Sequence, residues 1–272
     1  MSTPARKAEA PQRGIQSIEV GGQLLQALAD QGRPMALKDL AAAAGMASAK
    51  AHPYLVSLGK VGLVEQERAS GRYGLGPLAL QLGLMSLQQV DPVRLATPLL
   101  DELAQRSGHT IALAVWGSQG PTIVLLAESP AAVHVNMRLG TVFSIAGTAS
   151  GQLFAALLPV DQVRPLYEAE RQTHALPTWA AFQKTTLAKV RDQGLGRSDG
   201  AVVAGVSAMS APVFDHRGQV VLAITAIGPS AALDLGPDGV PARLLREAAA
   251  SVSTRLGHRR ETTATAATNA PP

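Results

Sequence analysis

The stretch SAKAHPYLVSLGKVGLVEQERASGRYGLGP, residues 48–77, changes its period halfway along, and that change decides how the front of the chain is read. Ala51, Tyr54, Leu55, Leu58 and Val61 recur at helical spacing, with Ser48 as the expected N-cap. Beyond Gly62 the spacing shortens. Leu63-Val64-Glu65-Gln66 and Arg72-Tyr73-Gly74-Leu75 are strand-like runs joined through Ala69-Ser70-Gly71. Upstream, Ile18, Leu24, Leu25 and Leu28 lie near one face of a helix that starts at Ile15 and is stopped by Gly32-Arg33-Pro34. A short helix, Leu37 to Ala44, follows and ends at Gly45. Helix, helix, turn, helix, hairpin is the order of a winged helix-turn-helix, a DNA-binding unit, although a small helical domain of unrelated purpose would share the layout.

Charge points the same way. The chain has 272 residues and a net charge of +4. Residues 1–75 carry nine Lys/Arg and six Asp/Glu, so most of the excess sits at the front, where a nucleic-acid partner is expected. There are no cysteines, which removes disulfides, thiolate metal sites and cysteine nucleophiles and fits a reducing, cytoplasmic setting. The longest apolar runs, such as Val220 to Ile227, fall short of the roughly 18 to 20 residues that cross a bilayer, so no membrane partner is expected. Residues 1–13 and 258–272 lack apolar periodicity and read as flexible tails.

Behind the hairpin, Pro77 to Gln89 reads as a helix with Leu78, Leu82 and Met85 in register. Asp91-Pro92 then opens another that runs to about Ser107. Strand-like runs follow at 110–116, 122–128 and 133–138. Gly147 to Gly151 opens a helix to Leu158, with further helices at roughly 161–170 and 178–192. Runs at 206–214 and 219–227 form a hairpin, and a last helix covers about 241–256. Strands at both ends with helices between them predict an α+β domain on an antiparallel sheet.

These residues resemble the IclR-type transcriptional regulators. The likeness rests on Leu40-Ala41 to Gly45-Met46, His52, Leu55 to Leu58, Gly62-Leu63-Val64 and, most specifically, Gly71-Arg72-Tyr73-Gly74-Leu75-Gly76-Pro77. In the second half it rests on Leu103-Ala104 to Gly108-His109-Thr110, on Gly147-Thr148-Ala149-Ser150-Gly151, and on Ser210 to Asp215 followed by Gly218 and Gly228-Pro229. The resemblance implies a winged helix-turn-helix over 14–76, a linker helix over 77–91 and a GAF-like effector-binding domain over 92–257. It also implies homodimers, often paired into homotetramers, that act on metabolic operons.

The expected DNA contacts follow from that layout. The N-terminal residues of the recognition helix, Ser48, Ala49, Lys50 and His52, would reach base edges, and Arg68 and Arg72 of the wing would meet phosphates or the minor groove. Arg6, Lys7 and Arg13 would form a groove-tracking arm. Ala49 and Lys50 depart from the family's usual Ser and Thr, and Pro53 stands where arginine is common. Pro53 also removes a backbone donor in the second turn, and Ala36 replaces a capping hydroxyl at a cost of about 1 kcal/mol.

For the effector, the resemblance implies a pocket between Gly147–Gly151 and the last hairpin, with Ser198, Ala208, Thr225 and Ile227 in its wall. Ala208 and Ile227 make it more apolar than in relatives that take small hydrophilic acids. The N–H groups of Thr148, Ala149 and Ser150 open a helix, which suits a carboxylate. The expected ligand is an organic acid with an apolar or aromatic body: carboxylate on the loop, polar atom on Thr225, body against Ile227 and Met209. No cofactor, metal or catalytic group is expected. Gly196-Arg197-Ser198-Asp199-Gly200 fits the G-x-S-x-G pattern, but a nucleophile elbow needs an apolar strand before it and a helix after it. The six histidines are scattered without metal-ligand spacing. A GAF-like small-molecule enzyme and a ligand-independent DNA-binding protein are the remaining alternatives.

Overall fold

The computed structural model describes residues 14–128 and 138–259. It divides into two compact units, with the boundary between Gln89 and Val90. Arg13, the rest of the arm and most of the two tails lie outside the described residues, as does the run at 133–138 apart from Arg138. His258, assigned to the tail, is ordered: its ring stacks on Phe214 at 5.1 Å and its Nδ1 lies 3.2 Å from the Asp215 carbonyl.

In the first unit, α1 (Gln16–Gln31), α2 (Leu37–Ala43) and α3 (Ser48–Lys60) enclose Leu24, Leu28, Leu40, Ala51 and Leu55, all buried. The antiparallel pair β1 (Val64–Gln66) and β2 (Tyr73–Leu75) closes this core through Val64 and Tyr73, and Met35 bridges Tyr73. Gly32, at φ 66°, ends α1 in the left-handed conformation that glycine adopts at least cost. Two cap details matter. Ala36 caps α2 without a side-chain bond, as expected. The start of α3 differs from expectation: Ser48 is its first helical residue, and the extended cap is Ala47, whose carbonyl accepts the N–H groups of both Lys50 and Ala51 at 3.0 Å. Pro53 stands inside α3 without ending it, and Ala49, whose carbonyl loses its helical donor, is an exposed residue. A further helix, α4 (Pro77–Gln89), buries none of its residues.

The second unit is built on a five-stranded antiparallel sheet in the order β4-β3-β7-β6-β5. Its strands are β3 (Thr110–Gly117), β4 (Gly120–Ala127), β5 (Gly196–Asp199), β6 (Val206–Phe214) and β7 (Val220–Pro229). One face is covered by α5 (Pro92–Ser107) and α10 (Val240–Arg255), whose Leu100, Leu103, Leu245 and Val252 pack on Ile111, Leu113, Met209 and Ile224. α5 starts as predicted, with the Asp91 carboxylate accepting from the N–H groups of Val93 and Arg94. The other face carries α6 (Ala149–Leu157) and α7 (Val160–Thr173), with a cluster of Phe154, Tyr167, Trp179 and Phe182. Tyr167 stacks on Phe182 at 4.7 Å and donates its hydroxyl to the Pro177 carbonyl.

The helix expected at 178–192 is not regular. α8 (Trp179–Phe182) and α9 (Ala188–Gln193) are joined by a π turn, Gln183–Leu187. The wider turn puts Phe182 and Leu187, five residues apart, into one core, which an α-helix would set on different faces.

Candidate effector pocket and nucleic-acid interface

The α6 N-terminus, the ends of β5 to β7 and the segments at 138–144 and 200–206 enclose a cavity of about 450 Å³. Strand register supplies its floor: Ser198 faces Ala208 across β5–β6, Ala208 faces Ile227 across β6–β7, and Ser210 pairs with Thr225 beside them. Ser198, Ala208, Thr225 and Ile227, named from resemblance alone, therefore stand together in one wall. Met209 does not join them. Successive residues of a strand point to opposite faces, so Met209 lies in the core under α5 and α10, and the expected ligand contact with it is corrected.

The loop before α6 is held by its own chemistry. Thr148 caps the helix, its Oγ1 accepting from the Gly151 N–H at 3.0 Å and donating to the Ser144 carbonyl at 2.7 Å. From α7, the Glu170 carboxylate accepts the Ser144 hydroxyl and, at 2.8 Å, the Ile145 N–H. Gly147 gives its N–H to Ser144 Oγ and its carbonyl to the Ser198 hydroxyl, so it shapes the loop without lining the cavity. Two glycines are there for closeness: a Cβ on Gly151 would sit 2.2 Å from the Ser144 oxygen, and one on Gly196 would sit 2.0 Å from the Ala149 oxygen.

Thr148, Ala149 and Ser150 all border the cavity. The N–H groups of Ala149 and Ser150 belong to the first turn of α6, which has no intrahelical acceptors for them. Ser150 is 1% exposed, and its hydroxyl has no hydrogen-bond partner among the described residues. The Thr225 hydroxyl donates to Ser210 Oγ at 2.9 Å and keeps only acceptor capacity toward the cavity. Ser198 lies in an edge strand with its proton on the Gly147 carbonyl, which leaves no nucleophile elbow.

Sequence reasoning missed the residues at 138–144 and the valines at 202, 203 and 206. Arg138 is the one charged side chain in the wall among the described residues, and Ser144 adds a hydroxyl. Val202 and Val203 border the cavity while remaining 58% and 51% exposed, in a loop between Gly200 and Gly205, both of positive φ. An apolar pair left in solvent at a cavity mouth was the available signal, between two glycines in Gly200-Ala201-Val202-Val203-Ala204-Gly205.

In the first unit, α3 buries Ala51 and Leu55 and presents Ala49, Lys50, His52 and Pro53 to solvent, with Ser48 half-buried at its start. Arg68 and Arg72 are exposed on the hairpin, the latter with its guanidinium 3.5 Å from the Pro34 carbonyl. A helix–turn–helix with an exposed cationic helix start and a basic hairpin is a winged helix of the DNA-binding kind.

That unit, followed by an α+β domain on an antiparallel sheet, has the layout of a two-domain DNA-binding regulator. The matches to known proteins make the family definite. Residues 17–68 match the IclR helix-turn-helix domain, and residues 84–254 match the bacterial transcriptional regulator IclR C-terminal domain. The chain is 36% identical to the glycerol operon regulatory protein of Streptomyces griseus, over 90% of this chain and 98% of that one. It is 26% identical to the transcriptional repressor IclR of Escherichia coli K12, over 82% and 83%. The crystal structure of Pseudomonas aeruginosa HmgR superposes with a TM-score of 0.85 at 35% identity, covering 90% of this chain and 99% of that one. The chain belongs to the IclR family and is a DNA-binding transcriptional regulator. None of its described helices is long and apolar enough to cross a membrane.

Proposed function

We propose that this regulator acts in the cytoplasm as a homodimer or homotetramer on an inverted-repeat operator, and that a small organic acid in the α6 pocket sets its affinity for that DNA. Lys50, with Ser48, Ala49 and His52, reads bases; Arg68 and Arg72 hold phosphates or the minor groove. The observation that carries the ligand reading is the buried Ser150 hydroxyl, which among the described residues has no partner, in the wall of a cavity whose single cation among those residues is Arg138. Buried polar groups are nearly always bonded, so an orphan beside a cavity marks a place where an outside group completes the bonding.

The wall supports a particular class of ligand. Arg138 and the α6 N-terminus suit a carboxylate. Ala208, Ile227, Val202 and Val203 offer apolar surface to the remainder, in place of the Met209 contact expected from sequence. Calorimetry with glyoxylate, pyruvate, benzoate and 4-hydroxybenzoate tests this. An aromatic acid is expected to bind more tightly than glyoxylate, and Ser150→Val to weaken it. Tight glyoxylate binding with no heat from either aromatic acid would reject the apolar reading.

A further inference from the structure

A second cavity, of about 310 Å³, lies between the π turn, α9 and the edge strand β5. Its polar wall consists of Arg197, Lys189, Thr185, Thr186, Gln152 and Gln193; the rest is apolar, and no acidic side chain of the described residues belongs to it. Strand alternation keeps it apart from the first pocket, since Ser198 faces that pocket and Arg197, its neighbour, points the other way.

Arg197 is the unusual member. Its Nε and Nη2 atoms are closed to solvent, and among the described residues they have no hydrogen-bond partner and the side chain joins no ion pair. These two nitrogens share one edge of the guanidinium and present parallel N–H donors, the fork that grips two oxygens of one oxyanion. Burial, and then the neighbouring Arg246, push its pKa below the ordinary value, while Asp238 opposes them. Arg246 offers no relief, because its guanidinium is committed to the carbonyls of Pro237 and Gln193. Some nearby donors are also used: Thr185 bonds the Ala181 carbonyl, and one Gln152 N–H bonds that of Ala146. The Lys189 ammonium, the Thr186 hydroxyl and the Gln193 side-chain amide, also in the wall, make no such bond among the described residues.

A cation-lined cavity without carboxylates, beside a buried fork with no acceptor, has the chemistry of an anion site. We propose that it binds a tetrahedral oxyanion, a phosphate or a phosphate monoester, between the Arg197 fork and Lys189. The fork is sealed as the side chain stands, and Arg197 already borders the cavity. Binding as proposed therefore requires the guanidinium to turn about its outer torsions so that Nε and Nη2 face the cavity. The π turn contributes by placing Thr185 and Thr186 on the cavity side, a frequent use of such turns.

The test is calorimetric titration of the full chain with inorganic phosphate at low ionic strength, with methyl phosphate in a parallel arm. Wild type is expected to show saturable binding that Arg197→Gln and Lys189→Ala each weaken about tenfold or more. Arg138→Gln and Lys50→Ala, which alter the first pocket and the DNA-reading helix, are expected to leave it unchanged. Methyl phosphate binding as well as phosphate assigns a monoester; binding of phosphate alone assigns the free ion. No saturable binding by wild type, or equal binding by a folded Arg197→Gln variant, overturns the proposal. So does loss of binding in Arg138→Gln or Lys50→Ala. Should Arg197→Gln fail to fold, Lys189→Ala alone decides, since its exposed side chain supports no core.

Discussion

Glu170 reaches the loop before α6 from outside the pocket, so its removal separates loop order from contact with the proposed ligand. Its carboxylate holds the Ser144 hydroxyl and the Ile145 N–H, and bonds of this charged kind contribute about 1 to 3 kcal/mol together in a half-buried site. Glu170→Ala is expected to lower stability by that amount in urea unfolding and to weaken ligand binding, with Glu170→Gln recovering part of both. Unchanged stability would remove the loop-anchoring role. His109 gives a pH signature. It is buried against Gly228, where an added Cβ would fall 2.6 Å from its Nδ1, and burial lowers its pKa. The unfolded chain then binds the proton more readily. Stability is therefore kept above the ordinary value of 6.5 and lost as pH falls through and below it. Thermal unfolding of His109→Asn should show a shallower loss on acidification than wild type; parallel curves would contradict this. At this scale the sequence misled where both faces of a strand look alike. Ser207, Ala208, Met209 and Ser210 carry no polarity pattern that tells the pocket side from the helix-covered side, and only register placed Met209 in the core.

Among elements, the N-terminal unit was the most legible, because its core residues recur at helical spacing and glycines stop the helices. The missed element was β5. Gly196-Arg197-Ser198-Asp199 has no β-branched or aromatic residue and no apolar alternation, so nothing local marks a strand. It exists because β6 offers it an edge and because Gly196 lets it approach α6. Gly196→Ala and Gly151→Ala, each forcing a Cβ against a backbone oxygen, are expected to destabilise the second unit more than any surface change. The π turn was equally invisible, since it is a consequence of packing Phe182 and Leu187 together. Cap chemistry offers the opposite sign. Ala36 has extended geometry and no side-chain bond, so Ala36→Ser is expected to raise stability by about 0.5 to 1 kcal/mol in chemical unfolding. No gain would mean that the hydroxyl cannot reach the first-turn N–H groups of α2.

For the whole molecule, α4 poses the question of assembly. Leu80, Leu82, Leu84, Met85 and Leu87 are all 45% exposed or more, an apolar surface that a lone soluble chain seldom leaves in water. Light scattering at micromolar concentration is expected to give a dimer or tetramer, and a folded monomer would contradict the reading. Two recognition helices related by a two-fold axis would then match a palindromic site about one DNA turn between half-sites. Coupling between pocket and DNA is the central claim, and fluorescence anisotropy of the full chain on DNA upstream of its own gene measures it directly. With benzoate or 4-hydroxybenzoate present, wild type is expected to change its operator affinity by about 5- to 150-fold, the usual range for a coupled site, while Arg138→Gln binds the same DNA and does not respond. Operator affinity that no carboxylate alters in wild type, or that one alters equally in Arg138→Gln, would contradict it.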